Sequence, residues 1–203
     1  MFKKTVYVVT VLALTVGLAL SQDKGKGGPP GGGGGKGGQA KGPGMSLSSP
    51  DFPDGGIIPD KFTQAAGPTS PSPKLEWANV PMGTVSFVLI MHDPDAAIGG
   101  PEDVLHWMAF NIPGTAKGLD GGVPTTATLP DGTIQAKNRG GNPGYMGPGN
   151  PAINPYHHYT WELYALNSTL MLGADATRED VLKAMVGKTT GKAVLVGRFK
   201  RPQ

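Results

Sequence analysis

The chain has 203 residues, of which 38% are hydrophobic, a formal net charge of +3 and no cysteine. The lack of cysteine excludes disulfides, thiol catalysis and a lipidated N-terminal cysteine. The basic charge lies near the N-terminus, because residues from Met45 onward contain 12 basic and 14 acidic side chains. The folded part therefore has a net charge of −2, and we expect no nucleic-acid partner.

The first 44 residues are predicted to precede the folded part. Lys3 and Lys4 are followed by an apolar stretch that ends at Ser21, with Ala19 and Ser21 at the small-residue positions of a cleavage site. This pattern predicts a signal peptide over residues 1–21 and export to the periplasm or the medium. The alternative is a retained anchor helix, but the apolar stretch is shorter than the ~20 residues of a typical span.

Residues 22–44 are rich in glycine, lysine and proline and are predicted to be a disordered linker. Four lysines and one aspartate give this segment a net charge of +3. We favour a solvated linker, and the alternative is a weak electrostatic contact with an anionic membrane or cell-wall surface. The remaining residues, 45–203, are predicted to form one domain.

Short apolar stretches rich in β-branched and aromatic residues follow the linker, separated by clusters of glycine, proline, aspartate and asparagine. They predict strands at residues 85–91, 107–112, 159–166 and 193–199. The first is apolar on both faces after Ser86, as expected for a strand buried between two layers. The fold class is therefore predicted to be mainly β.

One helix is predicted near the C-terminus. Thr177 and Asp180 have the spacing of a capping box, apolar residues between 181 and 186 supply a buried face, and Gly187 ends the helix. A long loop rich in glycine, proline and asparagine covers residues 140–155. Long loops in compact domains are often binding loops, and we expect that role here.

Two carboxylates follow the first predicted strand in the sequence Asp93-Pro94-Asp95. The proline holds Asp93 in an extended conformation, so the two carboxylates keep a defined separation. They could orient a histidine, accept hydrogen bonds from a ligand or bind a metal. The alternative is an ordinary Asp-Pro-Asp turn.

His106 begins the next strand, where alternation predicts that it shares a face with Met108 and Phe110. Such a histidine is often a satisfied core residue. His157 and Tyr159 are two residues apart and are predicted to project from one face, while His158 points the other way. An imidazole beside a phenol provides donors for phosphate oxygens, and the alternative is aromatic packing at a strand end.

No standard catalytic or metal-ligand motif is found. The segment from Gly144 to Pro148 can present backbone N–H groups to an anion, as glycine-containing nests do. A metal site built from His92, His106, His157, Asp93 and Asp95 is a minority hypothesis, because their spacing matches no standard ligand pattern. We therefore expect no cofactor and no enzyme activity.

Seven short motifs occur in a specific order between about residues 46 and 201. They are Ser72-Pro73-Lys74-Leu75-Glu76-Trp77, residues 80–87, Asp93-Pro94-Asp95-Ala96, His106-Trp107 through Asn111-Ile112-Pro113, Tyr145-Met146-Gly147-Pro148, His157-His158-Tyr159 and Leu163-Tyr164-Ala165-Leu166. In this order they resemble the phosphatidylethanolamine-binding protein family, especially its bacterial Raf-kinase-inhibitor-like branch.

The resemblance implies two antiparallel sheets, a C-terminal helix and a pocket for phosphate, acetate-like anions or phospholipid head groups. Carried over to this chain, the pocket would be formed by Asp93, Asp95, His106, Gly147, Pro148, His157 and Tyr159. The chain departs from the family pattern at Ala97, Val104 and His158, and in the spacing of the prolines after Gly147. A wider and less aromatic pocket rim is expected from these changes.

Three functions follow as hypotheses. The first is an exported protein that binds a phosphate-bearing small molecule or a phospholipid head group through His106, His157, Tyr159 and loop N–H groups, with an affinity that falls as the histidines lose their protons. The second is an interaction module that inhibits a kinase or a protease through the long loop. The third is a weak phosphoesterase that uses Asp93, His106 and His157. A homodimer is left open.

Overall fold

The computed structural model describes residues 43–203, so the predicted signal peptide and most of the predicted linker lie outside the described residues. In chain order the elements are β1 Ser46–Ser48, β2 Gly56–Ile57, a 3₁₀ turn Asp60–Phe62, β3 Leu75–Ala78, β4 Ser86–Asp93, β5 Val104–Pro113, β6 Gly118–Leu119, β7 Ile134–Gln135, β8 His157–Leu166, helix α1 Arg178–Ala184 and β9 Thr189–Phe199. The predicted β-rich fold with one late helix is confirmed.

Strands β4, β5, β8 and β9 form most of a six-stranded sheet with the order β2-β9-β8-β4-β5-β7. All neighbours in it are antiparallel except β2 and β9, which are parallel. Strand β4 is buried on both faces up to Met91, because it lies between β5 and β8 and is covered by a core on each side. The uninterrupted apolar run in the sequence reflects that position.

The larger core lies between this sheet and a three-stranded sheet with the order β1-β3-β6. The smaller sheet contributes residues such as Leu75 and Trp77, and the larger sheet contributes residues such as Phe87 and Trp161, all less than 5% exposed. Burying a side chain of this size stabilises the fold by about 1.5–3 kcal/mol. The two sheets are therefore held together mainly by apolar burial.

Helix α1 covers the opposite face of the six-stranded sheet. Its N-terminus has the predicted capping box, in which Thr177 and Asp180 each accept a backbone N–H of the other. Val181 and Met185 pack in the helix-side core with Val88 and Ile90 of β4. A helix of only seven residues buries one narrow face, and Leu182 and Val186 of the predicted apolar face are exposed.

A β-bulge in β5 places His106 on the face of the strand opposite to the predicted one. Strand β4 pairs Met91 with Trp107 and His92 with Leu105, so His106 has no partner. Met108 and Phe110 pack in the helix-side core. The His106 ring instead contacts Tyr159 edge-on, with the ring centroids 5.1 Å apart. The extra residue of the bulge resets the alternation, and the predicted shared face is wrong.

Candidate functional site

A cavity of about 470 Å³ opens at one end of the six-stranded sheet, where β4 ends and β5 and β8 begin. It is lined by the side chains or backbone of Gln64, Asp93, Asp95, Ala96, Ala97, Ile98, Val104, His106, Arg139, Met146, Gly149, Asn150, Pro151, Asn154, His157 and Tyr159. A larger cavity of about 770 Å³ has no histidine and no acidic or basic residue in its wall. Of these two cavities, the smaller one has the histidines and the aspartates in its wall.

The Asp93 carboxylate organises the floor of the cavity. Asp93 is only 3% exposed, and its Oδ2 lies 2.8 Å from Nδ1 of His157. Its Oδ1 accepts the backbone N–H of Asp95 at 3.0 Å, and the Tyr159 hydroxyl also hydrogen-bonds to it. A carboxylate accepts, so Nδ1 of His157 carries the proton and Nε2 is left for the cavity. Asp93 therefore positions the His157 ring.

The Tyr159 hydroxyl is held by its surroundings. Burial raises the pKa of Tyr159 above its ordinary range, and the charge and hydrogen bond of Asp93 raise it further. The backbone N–H groups of Asn150 and Gly149 point at the phenol oxygen and act in the opposite direction. The hydroxyl proton is therefore directed toward the Asp93 carboxylate, which can only accept.

His106 has a different environment from His157, because its partner is a carbonyl. Its Nδ1 lies 2.8 Å from the Met146 carbonyl oxygen, which can only accept, so Nδ1 carries the proton. Burial lowers the pKa of His106, and the Met146 hydrogen bond and the charge of Asp93 offset this only in part. At neutral pH the ring is uncharged, and its Nε2 is an acceptor in the cavity wall.

Asp95 is near the mouth of the cavity but pairs with the outward-facing His158. One oxygen, Oδ2, accepts the His158 backbone N–H at 2.6 Å and faces the His158 Nδ1 at 2.9 Å. Desolvation acts to raise the pKa of Asp95, but the hydrogen bonds and charge of His158 outweigh it and lower the pKa. His158 points away from His157, as alternation predicted.

Gly147 and Pro148 are not among the residues that line the cavity, although their neighbours Met146 and Gly149 are. Both carbonyls accept hydrogen bonds from Gln64, that of Gly147 from the side chain and that of Pro148 from the backbone. A Cβ at Gly147 would lie 2.4 Å from the Ser70 hydroxyl and 2.9 Å from the Phe62 carbonyl oxygen. Glycine is therefore required at 147 by close packing beneath the loop.

Several lining residues were missed from the sequence, and Arg139 is the most important. Arg139 is exposed, and its backbone N–H donates to the Leu105 carbonyl at 2.9 Å, which attaches the loop beside His106. No carboxylate of the described residues lies within 4.0 Å of its guanidinium. The available signal was a basic residue directly before the predicted binding loop of residues 140–155. Gln64 lies 76 residues before Gly140, where the predicted loop begins, and no local pattern links the two segments.

The side chains do not form a metal centre within the part of the chain that the structure describes. No group of three or more histidine, aspartate or glutamate residues is arranged to hold an ion there. His92 of the minority hypothesis lies on the helix side, where Nδ1 hydrogen-bonds to Asp103. Across residues 43–203, none of the helical segments has the length and apolar character required to cross a membrane.

Comparison with known proteins places this geometry in a family. A model of the phosphatidylethanolamine-binding proteins matches residues 48–200. The UPF0098 protein of Methanothermobacter thermautotrophicus is 42% identical over 158 residues, which cover 77% of this chain and 99% of that protein. A relative from Mycobacterium tuberculosis, named "Putative lipoprotein LppC", is 35% identical over 77% of this chain and 72% of its own length.

Two solved structures have the same fold. CT736 of Chlamydia trachomatis, described as a phosphatidylethanolamine-binding protein homolog, gives a TM-score of 0.67 at 29% identity and covers 78% of this chain and 99% of its own. YbcL of Escherichia coli gives a TM-score of 0.70 at 24% identity with the same coverage. The resemblance inferred from the order of the motifs is confirmed, and the chain belongs to the phosphatidylethanolamine-binding protein family, a family of binding proteins.

Proposed function

We propose that the protein binds a small anion that carries a phosphate group, either a free phosphomonoester or the head group of a phospholipid, in the cavity beside His106 and His157. The single observation that carries this proposal is that Arg139 is among the residues that line the cavity and that its guanidinium has no carboxylate within 4.0 Å among residues 43–203. Guanidinium groups bind phosphate oxygens through paired hydrogen bonds, and an unpaired one in a concave site favours an anionic ligand.

The other polar groups of the cavity define what the anion must offer. The N–H groups of Gly149 and Asn150 can donate to ligand oxygens. The uncharged His106 presents Nε2 as an acceptor, because its Nδ1 proton is held by Met146. A ligand with acceptor oxygens and one hydroxyl or ammonium donor satisfies both the loop N–H donors and the His106 acceptor. A singly protonated phosphomonoester and phosphoethanolamine each meet that requirement.

Titration calorimetry with O-phosphoethanolamine and with inorganic phosphate tests the proposal. Arg139→Gln is expected to lower the affinity for both ligands by about tenfold or more, since a hydrogen bond to a charged group contributes about 1.5–3 kcal/mol. Lys137→Gln removes one positive charge from the same loop, and Lys137 is exposed outside the cavity wall. This control is expected to bind within about twofold of the wild type, a change worth under 0.5 kcal/mol.

Equal affinities for the wild type and Arg139→Gln would contradict the proposal.

We also propose that binding occurs without turnover, since Asp93 is occupied by His157, Tyr159 and the Asp95 N–H and is not available as a base. A chromogenic phosphate ester incubated with the protein, with and without a chelator, tests this. Release of the chromophore that is lost in His157→Ala would instead support a phosphoesterase.

We further propose that the protein is exported. The apolar N-terminal stretch after Lys3 and Lys4 supports export, as does the name of the mycobacterial relative, "Putative lipoprotein LppC". Fractionation of the native cell, followed by mass measurement of the intact protein, tests it. A mature N-terminus at Gln22 in the envelope or medium is expected, and full-length protein in the cytoplasm would contradict export.

A further inference from the structure

The larger cavity shares a wall with the candidate site. Gln64 and Met146 line both cavities. The Met146 carbonyl oxygen lies 2.8 Å from Nδ1 of His106, and its sulfur lies beside Gly140 of the larger cavity, where an added Cβ would be 3.5 Å from it. Arg139 lines the smaller cavity, while the residues directly before and after it line the larger one. The two cavities therefore adjoin along the loop that contains Arg139.

Uncharged polar groups and proline rings form much of the wall of the larger cavity. Three separate segments each place a threonine, serine or asparagine beside a proline, at residues 68–71, 124–125 and 142–143. Thr69, Thr125 and Asn142 are exposed, so their hydroxyl and amide groups can hydrogen-bond to a ligand. Proline fixes its own φ and stiffens the wall. The cavity, of about 770 Å³, can therefore hold a small molecule, since such sites measure ~300–1,000 Å³.

The wall of the larger cavity carries no charge. Among the described residues, no histidine and no acidic or basic side chain lines it. Tyr145, 6% exposed, donates its hydroxyl proton to the Phe62 carbonyl oxygen at 2.7 Å, and burial raises the pKa of the phenol, which keeps it neutral. A charged group in this cavity would lose water without gaining a countercharge. An acyl chain would remove water from the hydroxyl and amide groups without replacing their hydrogen bonds. The wall therefore favours an uncharged group that carries hydroxyls.

A peptide fits this wall less well than a polyol. Proteins commonly bind peptides by adding a strand to a sheet edge or by burying side chains in an apolar groove. None of the residues that line the larger cavity belongs to a strand, so the wall provides no sheet edge. Polar side chains interrupt the prolines on each of the three segments, so the wall provides no continuous apolar groove either.

We propose that the two cavities bind one ligand, the phosphate ester of an uncharged polyol such as a sugar or an inositol. The phosphate lies at Arg139, and the hydroxyl groups of the polyol lie in the larger cavity. The proposal rests on the proposed function, which assigns the phosphate to the smaller cavity. The ligand crosses the shared wall at Met146, whose side chain is unbranched and flexible and can move aside. A free monoester and the head group of a lipid share this chemistry.

Titration calorimetry on the full chain compares myo-inositol 1-phosphate with methyl phosphate, a monoester that lacks the polyol. The wild type is expected to bind the inositol ester about tenfold more tightly, because two or three additional hydrogen bonds provide a factor of about this size. Thr125→Trp and Thr69→Trp fill the larger cavity from two different segments, and each should bring the two affinities to within about twofold of each other.

Thr126→Trp is the matched control for these variants. Thr126 is the next residue of the same loop and is exposed, but it does not line the cavity. This variant should keep the difference of about tenfold between the two esters. Equal affinities for the two esters in the wild type, or a difference that persists in both Thr125→Trp and Thr69→Trp, would overturn the polyol site. Tighter binding of an alanine-flanked phosphoserine peptide than of the inositol ester would also overturn it, in favour of a phosphopeptide.

Methyl phosphate separates this proposal from the proposed function. If methyl phosphate binding depends on Arg139 and the inositol ester binds no more tightly, the polyol site is overturned and the proposed function stands. If Thr125→Trp abolishes binding of the inositol ester but Arg139→Gln has no effect on either ester, the polyol site stands and the proposed function is overturned. Where the polyol site stands, glycerophosphoinositol identifies the source. Binding tighter than that of inositol 1-phosphate indicates a lipid head group, and weaker binding indicates a free monoester.

Discussion

Two Asp–His pairs at the same end of the sheet use the same chemistry in different surroundings. Asp93 and His157 pair at 2.8 Å with side chains 4% and 17% exposed, while Asp95 and His158 pair at 2.9 Å with side chains 40% and 52% exposed. The aspartates are two residues apart and the histidines are adjacent. Because strand side chains alternate, His157 faces the cavity and His158 faces solvent.

The difference shows that an ion-pair distance alone does not indicate a role. A pair removed from water is expensive to break, because the remaining charge has no solvent to compensate it. An exposed pair is screened by water and salt and contributes at most about 1 kcal/mol. We therefore assign the Asp93–His157 pair to the architecture of the cavity and the Asp95–His158 pair to a weak attachment of the β4–β5 loop.

The largest expected effect comes from His157→Ala. The substitution leaves the buried Asp93 carboxylate with only Tyr159 and the Asp95 N–H as partners, so the free energy of unfolding should fall by about 3–5 kcal/mol. Urea denaturation measures this change. The same variant should lose phosphate binding, because Nε2 of His157 is one of the polar groups of the cavity.

His158→Ala is the matched control for this experiment. It removes a histidine from the next position of the same strand and should lower the free energy of unfolding by no more than about 1 kcal/mol. Similar losses for His157→Ala and His158→Ala would remove the distinction between the two pairs. Similar losses would also show that Asp93 is better solvated than its 3% exposure indicates.

A second, intermediate effect concerns His106, which is buried without a carboxylate partner of its own. Its pKa is lowered by burial, so the unfolded chain takes up the proton first. The stability from the uncharged ring is fully present above about pH 6.5 and is lost as the pH falls from there to the lower pKa of the folded state. His106→Asn keeps a donor for the Met146 carbonyl and removes the titration.

Urea denaturation of the wild type and His106→Asn at pH 8 and pH 5 measures this effect. The wild type should lose more stability on acidification than the variant, and the difference between the two losses belongs to His106. All other ionisable groups are the same in the two proteins, so their contributions cancel in the comparison. Equal losses would mean that the His106 ring is accessible enough to be protonated in the folded protein.

The contrast between the two pairs was only partly predictable from the sequence. The order of the motifs and the strand patterns predicted the family and the β fold, and alternation predicted opposite directions for His157 and His158. The bulge at His106 was not predictable, because a bulge depends on the register between β4 and β5 rather than on either strand alone. For the same reason the face of His106 was predicted wrongly.

Long-range contacts explain why Gln64 and Arg139 were not predicted to line the cavity. Gln64 reaches the cavity from before β3, and its contact with Gly147 joins residues 83 positions apart. Arg139 enters the wall because its backbone bonds to Leu105 of β5. Neither contact has a local sequence pattern, since each depends on where a loop meets a strand end. The predicted ligand role of Gly147 and Pro148 stays a prediction, and the structure places the two residues behind the lining.

The smallest expected effect is that of Asp95→Asn. The asparagine oxygen can still accept the His158 backbone N–H that Asp95 now accepts at 2.6 Å, so only the charge of the pair is removed. Because both side chains are more than a third exposed, the free energy of unfolding should fall by less than about 1 kcal/mol at pH 7, and by less still in 1 M NaCl.

If burial alone acted on Asp95, it would raise the pKa of the carboxyl group and lower the stability of the fold as the pH rises. The pH dependence expected for Asp95→Asn has the opposite sign. Since the pKa of Asp95 is lowered in the folded protein, its contribution is present above the ordinary aspartate value of about 3.9 and is lost as the pH falls below that value through the folded pKa. Wild type and Asp95→Asn should therefore differ in urea denaturation at pH 7 and converge near pH 2. A difference that grows on acidification would mean that desolvation, rather than His158, controls Asp95, and the exposed pair would then resemble the buried one.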